Sequence, residues 1–215
     1  MSLWVKICAN TSLADAKLAV DAGADAVGFV FARSPRQVNA EQVAGIAAHL
    51  PSTIERIGVF VDATFGTIES AVTACGLTGV QLHFDGGEEL PAMLRERFGG
   101  SLRILHVLHY TEDATEKAAI LAANEAVDAI LVDSRTPAAV GGTGIPFDWD
   151  AAASLFRSRG KKMIAAGGLN PSNVSEAITK LRPWGVDVAS GVEIRLRCKD
   201  PGKVGAFVKN ARSAQ

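Results

Sequence analysis

Short apolar runs alternate with alanine-rich stretches along the whole of this 215-residue chain. Between the runs, apolar residues recur at the i, i+3, i+4 spacing of an amphipathic helix, as at Val174, Ala177, Ile178 and Leu181. Runs of four to six residues rich in Val, Ile, Leu and Phe predict strands. We count eight of them: Val5–Cys8, Ala26–Phe31, Arg56–Val61, Gly79–His83, Arg103–Leu108, Ala129–Asp133, Lys162–Ala166 and Val186–Ser190.

Strand–helix alternation repeated eight times predicts a parallel sheet with helices outside, the α/β class. An open doubly wound sheet is the rival architecture, but it usually needs fewer strands. Eight units therefore favour a closed (β/α)8 TIM barrel. No composition break or linker interrupts the chain, so we expect a single domain over residues 1–215.

Local signals predict where some of the helices begin and end. Asn39, followed by Ala40-Glu41-Gln42, resembles a capping box, and Asn170-Pro171 offers a second N-cap with proline at the first helical position. Gly23 and Gly76 predict helix ends, because glycine readily adopts the left-handed conformation that follows a helix.

Composition and charge exclude several classes of function. With 22 Lys and Arg against 23 Asp and Glu, the net charge of −1 favours neither nucleic acid nor an anionic membrane. No apolar run reaches the roughly 18 residues of a membrane span, and the N-terminus lacks a signal-peptide pattern. Three widely separated cysteines, Cys8, Cys75 and Cys198, indicate a reducing cytoplasm. The chain has no HExxH, CxxC or GxGxxG motif, so we expect no metal and no dinucleotide.

In such a barrel the active site lies at the C-terminal ends of the strands. The candidate residues are therefore those that end the predicted strands: Cys8, Arg33, Arg36, Asp62, Gln81, His83, Asp133, Gly167, Gly168, Ser190 and Gly191.

Three loops of small residues follow predicted strands six, seven and eight. They contain Gly141-Gly142-Thr143-Gly144, Gly167-Gly168 and Ser190-Gly191. A tight turn accounts for any one of them alone. Three such loops on the same face of the barrel favour a phosphate site, because glycine lets backbone N–H groups approach a phosphate closely.

A thiol and a carboxyl group end two of the predicted strands. A cysteine at a strand end is most often a small buried apolar residue, whereas a carboxylate such as Asp133 after an apolar strand needs a partner or a use. Across the barrel mouth, Cys8 and Asp133 would suit a base and an acid acting on one small substrate. Cys8 would then need a lowered pKa and Asp133 a raised one.

Three further polar residues have more than one interpretation. Arg36 at the rim would hold a substrate carboxylate, whereas Arg33 is better explained as a solvated charge. Lys6 shares the strand parity of Cys8 and needs a buried partner, for which Asp187 is the candidate; it is structural or an electrostatic aid to Cys8. For His83, a ligand contact and a satisfied core histidine remain equally open.

These residues together resemble the phosphoribosylanthranilate isomerase family over nearly the whole chain, in order. The matching motifs are Val5-Lys6-Ile7-Cys8, Gly23–Phe31, Ser34-Pro35-Arg36, Val80–His83, Leu131-Val132-Asp133, Gly141–Gly144 with Phe147-Asp148-Trp149, Gly167–Val174 and Asp187–Glu193.

The resemblance implies a (β/α)8 barrel of tryptophan biosynthesis that needs no cofactor. The family converts N-(5-phosphoribosyl)anthranilate to 1-(2-carboxyphenylamino)-1-deoxyribulose 5-phosphate by an Amadori rearrangement. By motif, Asp133 resembles the general acid that opens the furanose ring, and Cys8 the general base that removes the proton from C2′. Arg36 resembles the group that holds the anthranilate carboxylate. The loops with Gly142, Gly144, Gly168, Ser190 and Gly191 resemble the phosphate cradle, and His83 is a further expected substrate contact.

The chain departs from the family pattern at three places. Ala9 replaces the usual glycine after the cysteine, Ile145 replaces a frequent lysine, and Ile194–Cys198 replaces the usual Pro-Gly segment. Two alternatives stay open: a related phosphosugar barrel such as the histidine-pathway aminoaldose isomerase, and a barrel that only binds a phosphorylated ligand. The first is expected to carry an aspartate where Cys8 stands. The second has no use for Cys8 and Asp133.

Overall fold

A computed structural model describes residues 2–83, 89–134, 147–157 and 160–214 of the chain. The barrel strands in this part are Trp4–Ile7 (β1), Ala26–Val30 (β2), Glu55–Val61 (β3), Gly79–His83 (β4), Arg103–His109 (β5), Ala129–Asp133 (β6), Lys162–Ala165 (β7) and Gly185–Val188 (β8). They are all parallel and close into a barrel in sequence order, with β1 hydrogen-bonded to both β2 and β8. The predicted (β/α)8 barrel is confirmed.

The strand ends differ from the predicted runs by one or two residues. Cys8, Ala166 and Ser190 lie just past their strands rather than inside them. After β1 the chain turns at once, because Ala9 has a φ of 60°. These residues therefore lie on the rim formed by the C-terminal ends of the strands, the barrel mouth. The N–H groups of Cys8 and Ala166 still donate to the carbonyls of Val188 and Val132 on neighbouring strands.

Helices follow the strands and cover the outside of the barrel. In the described residues they are Leu13–Asp21 (α1), Ala40–Ala47 (α2), Phe65–Cys75 (α3), Glu89–Phe98 (α4), Ala114–Ala123 (α5), Trp149–Arg157 (α6), Val174–Leu181 (α7) and Pro201–Ser213 (α8). Between β8 and α8, an antiparallel hairpin pairs Glu193–Arg195 (β9) with Cys198–Lys199 (β10). This hairpin lies at the barrel mouth and contributes to the site.

Most of the predicted helix signals are confirmed. Asn39 is the N-cap of α2, and its side chain accepts a hydrogen bond from the N–H of Gln42. Gly76 ends α3 with a φ of 59°, and Gly23 follows α1 with a φ of 87°. Both glycines take the left-handed conformation that closes a helix C-terminus.

The predicted helix start at Asn170-Pro171 is wrong. Helix α7 begins at Val174, with Asn173 at the N-cap position. The side chain of Asn170 accepts a hydrogen bond from the N–H of Ser172 at 2.9 Å, so it closes a local turn instead of starting the helix. A proline that pre-sets φ suits such a turn as well as a first helical position, so the dipeptide alone does not distinguish them.

The barrel interior is apolar at one end and polar near the mouth. Side chains of one strand parity form a buried apolar cluster: Trp4, Ala26, Ile57, Leu105, Val107, Ala129, Leu131, Ile164 and Ala166. One step nearer the mouth on the same parity lie Lys6, Gln81 and Asp187, which are also buried. This change of polarity defines the end of the barrel at which chemistry is possible.

A second and larger apolar cluster fills the space between the strands and the helices, with Phe29, Phe60 and Phe207 among its members. It holds the strands in register and thereby holds the rim residues in place. In the described part of the chain, no helix has both the length and the apolar character needed to cross a bilayer.

Candidate active site

Cys8 lies directly after β1 and is buried, with 5% of its surface exposed. Its N–H donates to the carbonyl of Val188 at 2.7 Å, which ties the residue to the end of β8. Gly28 on β2 makes room for the thiol: a Cβ at that position would lie 2.6 Å from Sγ of Cys8 and 2.9 Å from Cε of Lys6. Glycine at position 28 is therefore a steric requirement of this site.

Lys6 is completely buried below Cys8, and its predicted partner is confirmed. Its Nζ donates to Oδ1 of Asp187 at 2.9 Å and to Oε1 of Gln81 at 2.7 Å. Burial acts to lower the pKa of Lys6, but attraction to Asp187 and then to the Cys8 thiolate outweighs it and holds this pKa above 10.5. Lys6 therefore places a fixed positive charge beside Cys8.

The same hydrogen bonds extend from Lys6 to His83. Nε2 of Gln81 lies 3.0 Å from Nε2 of His83. An ammonium group only donates, so Oε1 of Gln81 accepts from Lys6 and the amide N–H₂ of Gln81 faces the imidazole. In this arrangement Nε2 of His83 is the acceptor and the ring hydrogen is on Nδ1.

The expected lowering of the Cys8 pKa is wrong for the free protein. Burial is the largest influence and raises the pKa of the thiol above 9.0, and the negative charge of Asp187 adds to it. Lys6 and Lys199 act in the opposite direction but do not overcome the loss of hydration. The sequence indicates that Lys6 lies near Cys8, but only the folded structure shows how deeply the thiol is buried.

We expect Cys8 to be a thiol in the resting protein near pH 7. The ultraviolet absorbance of thiolate, taken as the difference between wild type and Cys8→Ala, should be absent at about pH 7 and should appear only above about pH 9. Cys75→Ala serves as the control because Cys75 is a buried cysteine remote from the mouth, on α3. A full thiolate signal from Cys8 at neutral pH would contradict the expectation.

Ala9 occupies a position at which glycine would be unstrained. The φ of Ala9 is 60°, so this position, where the family usually has glycine, does have a positive φ. A non-glycine residue in this region costs about 1–2 kcal/mol. Asn10 stabilises the turn, because its Nδ2 donates to the carbonyls of Ile7 and Gly28 at 2.8 and 3.2 Å.

Asp133 is the last residue of β6, at the same rim as Cys8. Along the barrel wall, β7 and β8 separate its strand from β1. Gly167, with a φ of 74°, passes close to it: a Cβ there would lie 2.6 Å from Oδ1 of Asp133. The half-buried carboxyl group thus lies between the end of β6 and the loop after β7.

Arg36 has a partner that the sequence did not reveal. Its Nε donates to Oε1 of Glu193 at 2.7 Å, and its Nη2 donates to Oε2 at 2.6 Å. The two residues are 157 positions apart, so no local pattern connects them. Arg33 is exposed, as expected of a solvated charge. Asp62, a further candidate, is also exposed and has a φ of 47°.

Two of the three predicted phosphate loops can be placed, and they touch. Gly168 follows β7 with a φ of 68°, and Ser190 and Gly191 form a short 3-10 turn after β8. A Cβ at Gly191 would overlap the carbonyl oxygen of Leu169, so glycine is what lets the two loops pack together. Gly142 and Gly144, predicted for the third loop, lie outside the described residues.

The structure adds residues that sequence reasoning missed. Glu193 and Lys199 lie on the hairpin beside Arg36, and the carboxylate–ammonium distance is 3.7 Å. His109 ends β5 beside Asp133, and its ring centre lies 6.0 Å from that of His83. His109 continues the inward alternation of Leu105 and Val107, which is the signal that would have identified it.

The donor set at the mouth suits proton transfer rather than metal binding. Among the described residues, no group of three or more His, Cys, Asp and Glu side chains is arranged to hold a metal ion. In the described residues, the mouth brings together the Cys8 thiol, the carboxyl groups of Asp133 and Glu193, two imidazoles and Arg36, with glycine-containing loops beside them. This arrangement can move protons on a small anionic substrate.

Comparison with known proteins agrees with this chemistry. The family model described as N-(5'phosphoribosyl)anthranilate (PRA) isomerase matches residues 5–210. The N-(5'-phosphoribosyl)anthranilate isomerase of Pelobacter propionicus is 42% identical over 212 residues, covering 98% of this chain and 96% of the relative. That of Roseiflexus castenholzii is 42% identical over 217 residues and covers 98% of both chains.

Solved structures show the same likeness in three dimensions. The phosphoribosyl anthranilate isomerase of Thermotoga maritima superposes with a TM-score of 0.88 at 37% identity, covering 98% of this chain and 99% of that one. An isomerase in complex with reduced 1-(o-carboxyphenylamino)-1-deoxyribulose 5-phosphate superposes with a TM-score of 0.85 at 34% identity and the same coverage. On the family match and these full-length relatives, the chain belongs to the N-(5'-phosphoribosyl)anthranilate isomerase family.

Proposed function

We propose that this chain isomerises N-(5'-phosphoribosyl)anthranilate with Cys8 as general base and Asp133 as general acid. The observation that carries the proposal is that the thiol and the carboxyl group lie on the same rim of a full-length family barrel. A related barrel has been solved with the reduced product, a small phosphorylated ketose derivative. We therefore take the substrate to be a small phosphosugar joined to anthranilate.

The reaction begins with ring opening. Asp133 donates its proton to the furanose ring oxygen, the C1′–O bond breaks, and the nitrogen lone pair forms a C1′=N iminium. Cys8 then removes the proton from C2′, and the released electron pair forms the C1′=C2′ double bond of an enolamine. Protonation of C1′ and loss of the hydroxyl proton at C2′ give the ketose.

The iminium intermediate explains how a buried thiol can act as a base. Burial raises the pKa of Cys8 in the free protein. Ring opening creates a positive charge next to C2′, and this charge adds to those of Lys6 and Lys199 to lower the pKa of Cys8. The thiol then releases its proton to solvent, and the resulting thiolate accepts the proton from C2′. The thiolate thus forms at the step that needs a base, and the protein at rest carries the less reactive thiol.

The remaining predicted residues bind the two anionic ends of the substrate. Arg36 binds the anthranilate carboxylate through charge-assisted hydrogen bonds. The loops containing Gly168, Ser190 and Gly191, together with the loop containing Gly142 and Gly144, bind the phosphate through backbone N–H groups. His83 contacts the substrate from β4. These roles remain predictions of the family motif.

The chemistry itself needs no external electron acceptor. C1′ is reduced while C2′ is oxidised, so both electrons stay within the substrate and acid–base catalysis is sufficient. The three free cysteines are compatible with a reducing compartment, and we propose the cytoplasm as the site of action.

Product analysis in heavy water tests the proposed reaction. Freshly prepared substrate incubated with the purified chain in D₂O should give the ketose with one carbon-bound deuterium at C1′, because C1′ is protonated from solvent. NMR of the product measures this directly. An unchanged substrate, or a product in which C1′ keeps the aldose oxidation level and C2′ keeps its hydroxyl group, would contradict the proposal.

A further inference from the structure

Glu193 occupies one edge of the Arg36 guanidinium and leaves another edge available. A guanidinium has five N–H donors, and Glu193 accepts one from Nε and one from Nη2. Among the described residues, no other acceptor contacts this guanidinium. The terminal edge, made of both Nη1 hydrogens and the second Nη2 hydrogen, therefore remains for a planar anion.

Glu193 is itself held firmly. It is 8% exposed and begins the β9–β10 hairpin, where it pairs in register with Lys199. Its backbone carbonyl accepts a hydrogen bond from Nζ of Lys203 at 2.8 Å. Burial acts to raise the pKa of the Glu193 carboxyl group, but hydrogen bonding to Arg36 and the charge of Lys199 outweigh it and hold this pKa below 4.5. Glu193 is therefore an ionised and fixed anchor.

The loop that carries Arg36 is bound to the same hairpin. Arg197, in the hairpin turn, donates from Nη1 to the carbonyl of Pro35 at 3.2 Å. The hydroxyl of Ser34 accepts from the N–H of Arg36 at 3.0 Å. Hydrogen bonding to Glu193 raises the pKa of Arg36, so the guanidinium stays charged. Both ends of Arg36 are thus fixed beside the mouth.

The charges of this cluster do not cancel. Glu193 alone would neutralise Arg36 and remove its attraction for an anion. Lys199, nearly buried, lies 3.7 Å from the Glu193 carboxylate and donates to the carbonyl of Ala189 at 2.9 Å. Burial lowers the pKa of Lys199, and the carboxylate of Glu193 opposes this shift. As the ammonium form, Lys199 leaves the three residues with one net positive charge, which matches one carboxylate.

We propose that Glu193 is a positioning residue, which holds the Nε–Nη2 edge of Arg36 so that the terminal edge of the guanidinium faces the carboxylate of the aromatic substrate. This inference rests on the proposed function and deepens it. Arg36 and Glu193 together, and not Arg36 alone, would then select the substrate whose aromatic amine carries a carboxylate.

Glu193→Asp tests whether the position of the carboxylate matters separately from its negative charge. The shorter side chain keeps the negative charge but draws the carboxylate back by one methylene, so it cannot reach both Nε and Nη2. Kinetics would use two substrates: the anthranilate compound, and the analogue made from aniline, which lacks the carboxylate. We expect kcat/KM for the anthranilate compound to fall about 10-fold, with an unchanged value for the aniline compound.

Glu176→Asp on α7 is the matched control. It makes the same change at an exposed glutamate that pairs with Lys180. The kcat/KM values for both substrates should stay at the wild-type level. The double variant Arg36→Lys with Glu193→Asp should lose no more activity than Arg36→Lys, because lysine cannot make the paired contact. Circular dichroism checks that each variant is folded.

Two outcomes would overturn the proposal. An equal loss on both substrates would show that Glu193 only supports the fold, and no loss on either would show that Arg36 is positioned without it. A wild-type chain that converts neither substrate would refute the proposed function separately. Calorimetric titration with the reduced product, with and without its carboxylate, would then still decide the role of Glu193.

Discussion

Replacing Cys8 by alanine is expected to lower kcat about 1000-fold, because proton removal from C2′ loses its base. Affinity for the reduced product should change little, since Cys8 contributes to proton transfer and not to either anionic end. Steady-state kinetics and calorimetric titration measure the two quantities. Cys198→Ala, at the partly buried cysteine of β10, is the control and should keep nearly full activity.

Asp133→Asn belongs to the same prediction and should produce a loss of similar size. Asparagine keeps the shape of the side chain but cannot donate the proton that opens the furanose ring. Binding of the reduced product should again be preserved. Wild-type turnover in either Cys8→Ala or Asp133→Asn would contradict the assigned roles.

Lys6→Met is expected to cause the largest loss of stability of any change discussed. Lys6 is fully buried, and its removal leaves the carboxylate of Asp187 buried without its cation and Gln81 without its donor. Breaking a buried ion pair by removing one partner typically costs about 3–5 kcal/mol. Urea denaturation of wild type and variant should show this difference in the free energy of unfolding.

Lys180→Met provides the matched comparison. Lys180 also pairs with carboxylates, Asp150 and Glu176, but those partners are exposed and remain hydrated after the change. The free energy of unfolding should stay nearly unchanged in this variant. Equal stability of Lys6→Met and wild type would show that the buried pair does not support the barrel.

The barrel could be predicted because its determinants are local and repeated. Each strand forms from a short apolar run, and eight runs separated by amphipathic stretches leave few architectures. The buried partner of Lys6 could also be predicted, since strands one and eight of a closed barrel are neighbours and Asp187 has the matching parity. The helix start at Asn170-Pro171 was wrong because the same dipeptide suits a turn.

Individual residues of the site could be predicted from the sequence, but the contacts between them could not. The pairing of Arg36 with Glu193 joins the loop after β2 to the hairpin after β8, and only the closed barrel brings these together. The direction of the Cys8 pKa shift depends on how completely the thiol is buried relative to the cations around it. Such a balance is a property of the packed mouth and not of any motif.

The central claim is that Cys8 at this barrel mouth is the base of the isomerisation. The most direct test follows the loss of fluorescence of freshly generated N-(5'-phosphoribosyl)anthranilate on adding the wild-type chain, with Cys8→Ser measured alongside. We predict rapid loss with wild type and a rate lower by about 1000-fold with Cys8→Ser. Equally rapid loss with both proteins would place the base elsewhere, and no loss with wild type would contradict the isomerase itself.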